Sequence, residues 1–137
     1  MSILQTQTTS FKTELYTGVH NLATNTLKIA LYTASADLNE ATTVYSSVNE
    51  VSGGGYTLGG VTLTGVTISS SGYTAYVDFA DVVFGASVTA RCALIYNVTQ
   101  GNKSIAVLDF GSDKTSTNFT ITMPANTATA ALIRSSN

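Results

Sequence analysis

At 137 residues the chain fits one domain with one core; 44% of it is hydrophobic, only 10% is charged, and the net charge is -2. Six scattered cations, Lys12, Lys28, Arg91, Lys103, Lys114 and Arg134, form neither the basic face of a duplex binder nor the basic groove of a single-strand binder, so nucleic acid is not an expected partner. A single His, a single Cys and no Trp leave little with which to build a metal centre, a nucleophilic triad or an indole platform for sugars.

What the chain has in abundance is hydroxyl, with 23 Thr and 15 Ser. β-Branched Thr is stiff at χ1 and suits a half-buried pleated surface, so Thr interleaved with Val, Ile and Tyr covers the outside of a sheet without charge. A surface so poor in charge gains little from self-repulsion, which points to coverage by neighbouring copies or by another protein. Cys92 has no partner in the chain, so the fold is expected to need neither a disulfide framework nor an oxidising compartment. Residues 1–6 lack the basic and long apolar regions of a signal peptide. No apolar run approaches the roughly 20 residues of a spanning helix, and no membrane role is expected.

In chain order, residues 1–9 are polar and aperiodic and are expected to be an arm that orders against a partner, leaving 10–137 as a single β-rich domain. Ser10 suits the N-cap of a helix whose apolar stripe is Phe11, Leu15, Val19 and Leu22, with His20 beside the stripe on the surface. From Leu27 the period becomes two: Leu27, Ile29 and Leu31 share one face of a strand, and Lys28, Ala30 and Tyr32 the other. Residues 34–50 form a long, weakly patterned connection in which 43–46 can pair briefly. Glycines at 53–55 and 59–60 then bracket Tyr56, Thr57 and Leu58 in a loop that needs positive φ or close approach to another chain. No P-loop Lys-Ser/Thr pair and no helix follows, which disfavours a phosphate cradle.

Residues 61–68 and 73–79 read as a hairpin, with Tyr73, Ala75, Val77 and Phe79 on one face. A long strand over 88–98 places Val88, Ala90, Cys92, Leu94 and Tyr96 on one side and pairs across the turn at 99–102 with 105–110. Cys92 among those neighbours reads as a small core residue. Phe119, Ile121 and Met123 alternate before Pro124, and 128–134 supplies a last strand. Seven or eight strands separated by turns predict a mainly β fold, an antiparallel β-sandwich or flattened barrel with one short N-terminal α-helix.

Catalysis would have to come from a carboxylate pair, Asp78 with Asp81 or Asp109 with Asp113, and a calcium site from Asp109, Asp113 and loop carbonyls. Both pairs fall near expected strand ends, where carboxylates commonly cap turns. The expectation is therefore a protein that is not an enzyme, with no catalytic residue, no metal and no cofactor.

Several segments carry a likeness. Phe11-Lys12-Thr13-Glu14-Leu15, Leu27-Lys28-Ile29-Ala30-Leu31-Tyr32-Thr33, Asn49-Glu50-Val51-Ser52-Gly53, Gly55-Tyr56-Thr57 and Gly59-Gly60-Val61 resemble small structural proteins of tailed-bacteriophage virions. Residues 91–96 and Ala106-Val107-Leu108-Asp109-Phe110-Gly111 are similar to the later parts of those proteins, so the resemblance spans most of the length. It implies a virion protein without catalytic residues. The preferred reading is a capsid decoration or cement protein, which would bind the major capsid protein or another virion protein and copies of itself, preferably as a trimer. Its place would be the capsid surface, after synthesis in the host cytoplasm. A neck, tail or baseplate component is the alternative, and a receptor- or carbohydrate-binding fibre module, suggested by the seven Tyr, is a third. Poor patterning and few charges in the arm and in the connection over 34–60 assign the assembly contacts to Ile3, Leu4, Tyr45, Val48, Val51, Tyr56 and Leu58.

Overall fold

The computed structural model describes residues 3–136. In chain order they form β1 (Thr6–Gln7), α1 (Thr9–Tyr16), β2 (Leu27–Tyr32), β3 (Val61–Thr62), β4 (Thr67–Ser71), β5 (Thr74–Asp78), β6 (Val82–Val83), β7 (Val88–Asn97), β8 (Lys103–Ser116), β9 (Thr120–Ile121) and β10 (Ile133–Ser135). One antiparallel sheet runs β1-β8-β7-β2-β3, a second runs β10-β5-β4, and β6 pairs with β9 in a short ribbon. The fold is mainly β and sandwich-like, as the alternating pattern predicts. Its core lies where Leu27, Ile29, Leu31, Ala93 and Ile95 of the large sheet meet Phe79, Val82, Phe119, Ile121, Met123 and Ile133 from the other elements.

β2 is apolar on both faces from Ile29 onward because both are covered there. Leu27, Ile29 and Leu31 enter the main core, whereas Ala30 and Tyr32 join Ala36, Leu38, Cys92, Leu94, Tyr96 and Val107 in a second cluster on the reverse of the sheet. The lid over that reverse face is the connection 33–60, which supplies Ala36 and Leu38 and packs Tyr45 on the cluster. Gly60 closes the connection at φ +83, where an added Cβ would run into the backbone of Ile29 and Ala30.

β7 does not keep the single face expected of it. Val88 and Ala90 lie in the main core, but Cys92, Leu94 and Tyr96 lie in the reverse cluster, and Ala93 and Ile95 take their place. The switch falls at a break in the ladder: Ala90 faces Lys114 while Cys92 faces Asp109, so β8 bulges opposite Arg91, Arg91 has no ladder partner, and the alternation of β7 restarts on the other face. A second irregularity, between the pairs Ile95–Ala106 and Tyr96–Ser104, leaves Ile105 as an extra residue on β8. Ile105 and Ala106 consequently both face the main core.

Other expectations are also corrected. Thr8, not Ser10, caps α1: its side chain accepts from the amide of Phe11 at 3.3 Å, and its hydroxyl is buried against that of Ser104 at 2.9 Å. The helix stops at Tyr16, with Gly18 in the left-handed region at φ +75, so the stripe does not continue. Phe11 is buried from the helix and Leu22 from the turn after it, while Leu15 stays exposed. The stretch 61–68 is two strands in two sheets. Between them the chain crosses over, with Leu63 donating its amide to the Leu27 carbonyl at 2.9 Å and Thr64 accepting from the Ala80 amide at 2.9 Å. Tyr73 belongs to the turn and is exposed, and β8 continues six residues past Phe110 to Ser116. The last strand spans only Ile133–Ser135.

The expected arm is also part of the fold where it is described. Thr6 faces Val107 and Gln7 faces Ala106, so β1 uses hydrogen-bonding groups that β8 would otherwise leave open, and Ile3 bridges Leu38 in parallel. Residues 1–2 and 137 lie outside the described residues.

Candidate assembly surface

The connection 33–60 has little regular structure, and one carboxylate organises it. Val51 donates its amide to the Leu31 carbonyl at 3.0 Å, and Thr33 donates to Asn49 at 2.9 Å, which runs the chain back along the end of β2 and turns Glu50 inward. Glu50 Oε1 accepts from Tyr45 Oη at 2.5 Å, and Oε2 accepts from Tyr56 Oη at 2.5 Å and from the Gly59 amide at 2.8 Å. The Tyr56 hydroxyl in turn accepts the Leu31 amide at 2.9 Å. β3 has already ended at this point: it pairs with Lys28 and Ile29 only, and Tyr56 serves the amide it does not reach.

Around this centre, Tyr96 Oη donates to the Gly59 carbonyl at 2.5 Å and Tyr32 Oη to the Ser46 carbonyl at 2.6 Å, while the rings of Tyr45 and Tyr96 stack 4.5 Å apart. A buried carboxylate is costly unless its lone pairs are used, and charge-assisted bonds of this kind are each worth about 1.5 to 3 kcal/mol. Among the described residues no buried side-chain nitrogen or oxygen lacks a partner. The tyrosines thus hold the lid on the sheet, and it folds by means of its own polar centre.

That environment has a measurable pH consequence. Burial, reinforced by the nearby Glu50, pushes the Tyr32, Tyr45 and Tyr56 hydroxyls well above their usual range and Tyr96 up to about 12, and burial pushes the Cys92 thiol up to about 12. A group raised on folding contributes its full stability below its unfolded value, here 9.0 for the thiol and 10.0 for the phenols, and loses it as pH rises through the folded value. The thermal midpoint is expected to fall as pH rises from about 9 towards 12, with phenolate absorbance appearing together with unfolding. Independent titration of all seven Tyr near pH 10 in a folded protein would contradict this.

The structure sorts the residues expected to make contacts. Val51 lies in the main core, and Tyr45 and Tyr56 turn inward onto Glu50, because the apolar and aromatic side chains of the lid are what attach it to the sheet. Ile3 packs on the reverse cluster. Leu4 is half-exposed, and Val48 and Leu58 are 70% and 60% exposed. Val44, not singled out by the sequence, joins Val48 on the rim of a pocket of about 160 Å³ floored by Tyr32, Ala36 and Leu38. Leu4 does not line this pocket, although its amide bonds the carbonyl of Leu38 at 3.0 Å. A pocket this size takes one apolar side chain of a neighbour.

Comparison with family models, with curated proteins and with solved structures returns no match for this chain.

Three of the four carboxylates in the acidic pairs are engaged structurally. Asp78 accepts from the Phe79 amide at 3.0 Å, Asp81 from the Met123 amide at 2.7 Å, and Asp109 from Gly111 at 2.8 Å and from Arg91 Nε at 3.2 Å. Asp109 and Asp113 lie inside β8, not at its end. Among the described residues no group of three His, Cys, Asp or Glu is placed to hold a metal ion.

Two features escaped the sequence. His20 is buried, with Nε2 at 2.8 Å from Glu14 Oε1 and Nδ1 accepting from Asn97 at 3.0 Å; it ties the end of α1 to β7. The helical spacing that set His20 beside the stripe fails because α1 ends four residues before it. An apolar groove of about 650 Å³ also opens between β8, β9 and the segment before β10, walled by Phe110, Phe119, Ile121, Met123 and Leu132 with Lys114 at its edge. Of its walls, the sequence marks Phe119, Ile121 and Met123 only as an alternating run.

Proposed function

We propose that this chain is a non-enzymatic structural protein of a tailed-phage virion, a capsid decoration or cement protein that works through the outer surface of its 33–60 lid. The observation that carries this reading is a lid fastened from within by Glu50 and four tyrosines, with Val44, Val48 and Leu58 left facing outward and exposed. A surface held this firmly costs little ordering entropy on docking, and Val44 and Val48 at a small pocket suit an apolar anchor from a neighbour. Low charge and a fold without disulfides suit a component present in many copies. The segment likeness to phage virion proteins supports the same reading. The glycan alternative keeps less support, because Tyr32, Tyr45, Tyr56 and Tyr96 are spent on the lid and, of the remaining three, Tyr16 and Tyr73 stay exposed on other elements.

Purified chain mixed with empty capsids of its own particle is expected to bind saturably, in a fixed number of copies per shell. Val48→Asp should weaken that binding by about tenfold or more through burial of an unpaired charge, with an unchanged circular dichroism spectrum. Binding to tails or baseplates in place of heads would favour the alternative virion location, and failure to bind any virion part would refute the reading.

A further inference from the structure

β4 is the outer strand of the three-stranded sheet and is bonded to β5 alone. The hairpin between them turns in two residues, Gly72 at φ +59 and Tyr73, between the paired Ser71 and Thr74. A two-residue loop makes the flanking pair a hydrogen-bonded one, so alternation directs the amides and carbonyls of Thr67, Ser69 and Ser71 towards β5 and those of Ile68 and Ser70 outward.

This edge differs from the others that the described residues present. The strands β1 and β3 that border the large sheet have two residues each, and the far edge of the small sheet, β10, has three and is approached by Gln7, whose Nε2 donates to the Arg134 carbonyl at 3.2 Å. β4 has five residues and none of the usual protections: no charge, no proline and no bulge. No charged residue occurs anywhere from Val51 to Val77. Its pleat is exposed on both faces, with Ile68 54% accessible.

We propose that β4 pairs antiparallel with β4 of a second copy about a two-fold axis at Ser69, giving one six-stranded sheet ordered β10-β5-β4-β4-β5-β10. This register sets Thr67 opposite Ser71, Ile68 opposite Ser70 and Ser69 opposite itself. It uses all five residues, and it lets the outward amides and carbonyls of Ile68 and Ser70 satisfy each other in both halves of the pair. One face becomes a ladder of hydroxyl against hydroxyl, and on the other the two Ile68 side chains approach diagonally. Self-complementarity favours a second copy as the occupant: this register matches each outward amide and carbonyl of Ile68 and Ser70 with one from the other copy, and the uncharged stretch opposes no like charges. The inference does not rest on the virion reading, since the pairing is a property of the isolated chain.

Sedimentation equilibrium of the full chain up to about 1 mM, where even a weak contact is populated, should show association to a dimer. Ser70→Pro removes an outward amide from each copy while sparing the bonds to β5, and is expected to weaken the dimer by about thirtyfold. Ser70→Lys, at an exposed position, should weaken it likewise without touching the backbone, which keeps the test open if the proline variant fails to fold. Register is read by cysteine: Ser69→Cys should cross-link between copies on mild oxidation, and Thr67→Cys should do so about tenfold more slowly, because only position 69 meets itself. Cys92 is buried and does not compete. A wild-type chain that remains monomeric throughout, Ser70 variants that dimerise as tightly as wild type, or equal cross-linking at 67 and 69 would each overturn the proposal.

Discussion

Glu50→Ala is expected to lower the unfolding free energy by about 4 kcal/mol, because it strips the acceptor from three donors at once: the Tyr45 and Tyr56 hydroxyls and the Gly59 amide. The loss extends beyond those three bonds. Tyr56 also accepts the Leu31 amide of β2, and Gly59 accepts from Tyr96, so the side chains that pin the lid lose their common anchor together. Glu50→Gln is expected to cost less, about 1 to 2 kcal/mol, since its carbonyl oxygen can keep Tyr56 and Gly59 while the Tyr45 hydroxyl rotates to accept from the amide. Urea unfolding followed by far-UV and near-UV circular dichroism checks both values. The near-UV tyrosine signal should weaken in Glu50→Ala, where the stack of Tyr45 on Tyr96 loosens. Equal, small effects of the two substitutions would show that the lid does not depend on this carboxylate.

Gly60→Ala is expected to be at least as damaging, at about 4 kcal/mol, for a reason that has no side-chain component in the native protein. The residue sits at φ +83, which costs a side chain about 1 to 2 kcal/mol, and the new Cβ would meet the carbonyl of Ile29 and the Cα of Ala30. Neither can give way: Ile29 and Ala30 are fully buried on opposite faces of a strand held by β7 on one side and β3 on the other. Gly18→Ala provides the comparison. Its φ is +75, but open space surrounds it, so the same substitution should cost only about 1 kcal/mol. Chemical denaturation of the two variants side by side separates backbone strain from collision. A Gly60→Ala protein as stable as Gly18→Ala would mean that the approach to β2 is looser than described.

Much of this architecture was legible from period two alone. β2 reads correctly to the face, because Leu27, Ile29 and Leu31 oppose Ala30 and Tyr32 in the sequence as in the sheet. Cys92 is buried, as its neighbours suggested. The pattern misled where register, not composition, decides. Nothing in Val88-Thr89-Ala90-Arg91-Cys92 announces that β8 will bulge opposite Arg91, and after the bulge each side chain of β7 lies on the face opposite to a simple alternation. The change of sheet between β3 and β4 was hidden similarly, since 61–68 alternates well enough to pass for one strand.

The candidate surface was legible in part. Low patterning and glycine content marked 34–60 as unusual, and of the seven residues assigned to contacts in it and in the N-terminal arm, Leu4, Val48 and Leu58 are exposed. What the sequence concealed is that the segment is fastened to its own chain. Glu50, with Tyr45 five residues before it and Tyr56 six after, carried that signal, but a carboxylate amid polar residues reads first as solvated. Thr8 and His20 were misplaced for a related reason: each is a polar residue in a polar stretch, and only the arrival of Ser104 or Asn97 from a distant strand makes it part of the interior.

The central claim is that the 33–60 lid is an ordered surface before any partner arrives. Native-state hydrogen exchange on the isolated chain tests it most directly, read at the amides of Tyr45, Val51, Tyr56 and Gly60, which bond the carbonyls of Asn102, Leu31, Gly53 and Thr57. Slow exchange at these sites, close to the protection of β2 and lost selectively in Glu50→Ala, is the expected result. Exchange at the rate of an unstructured peptide while β2 and β7 stay protected would contradict it, and would make the lid an arm that folds only on its target.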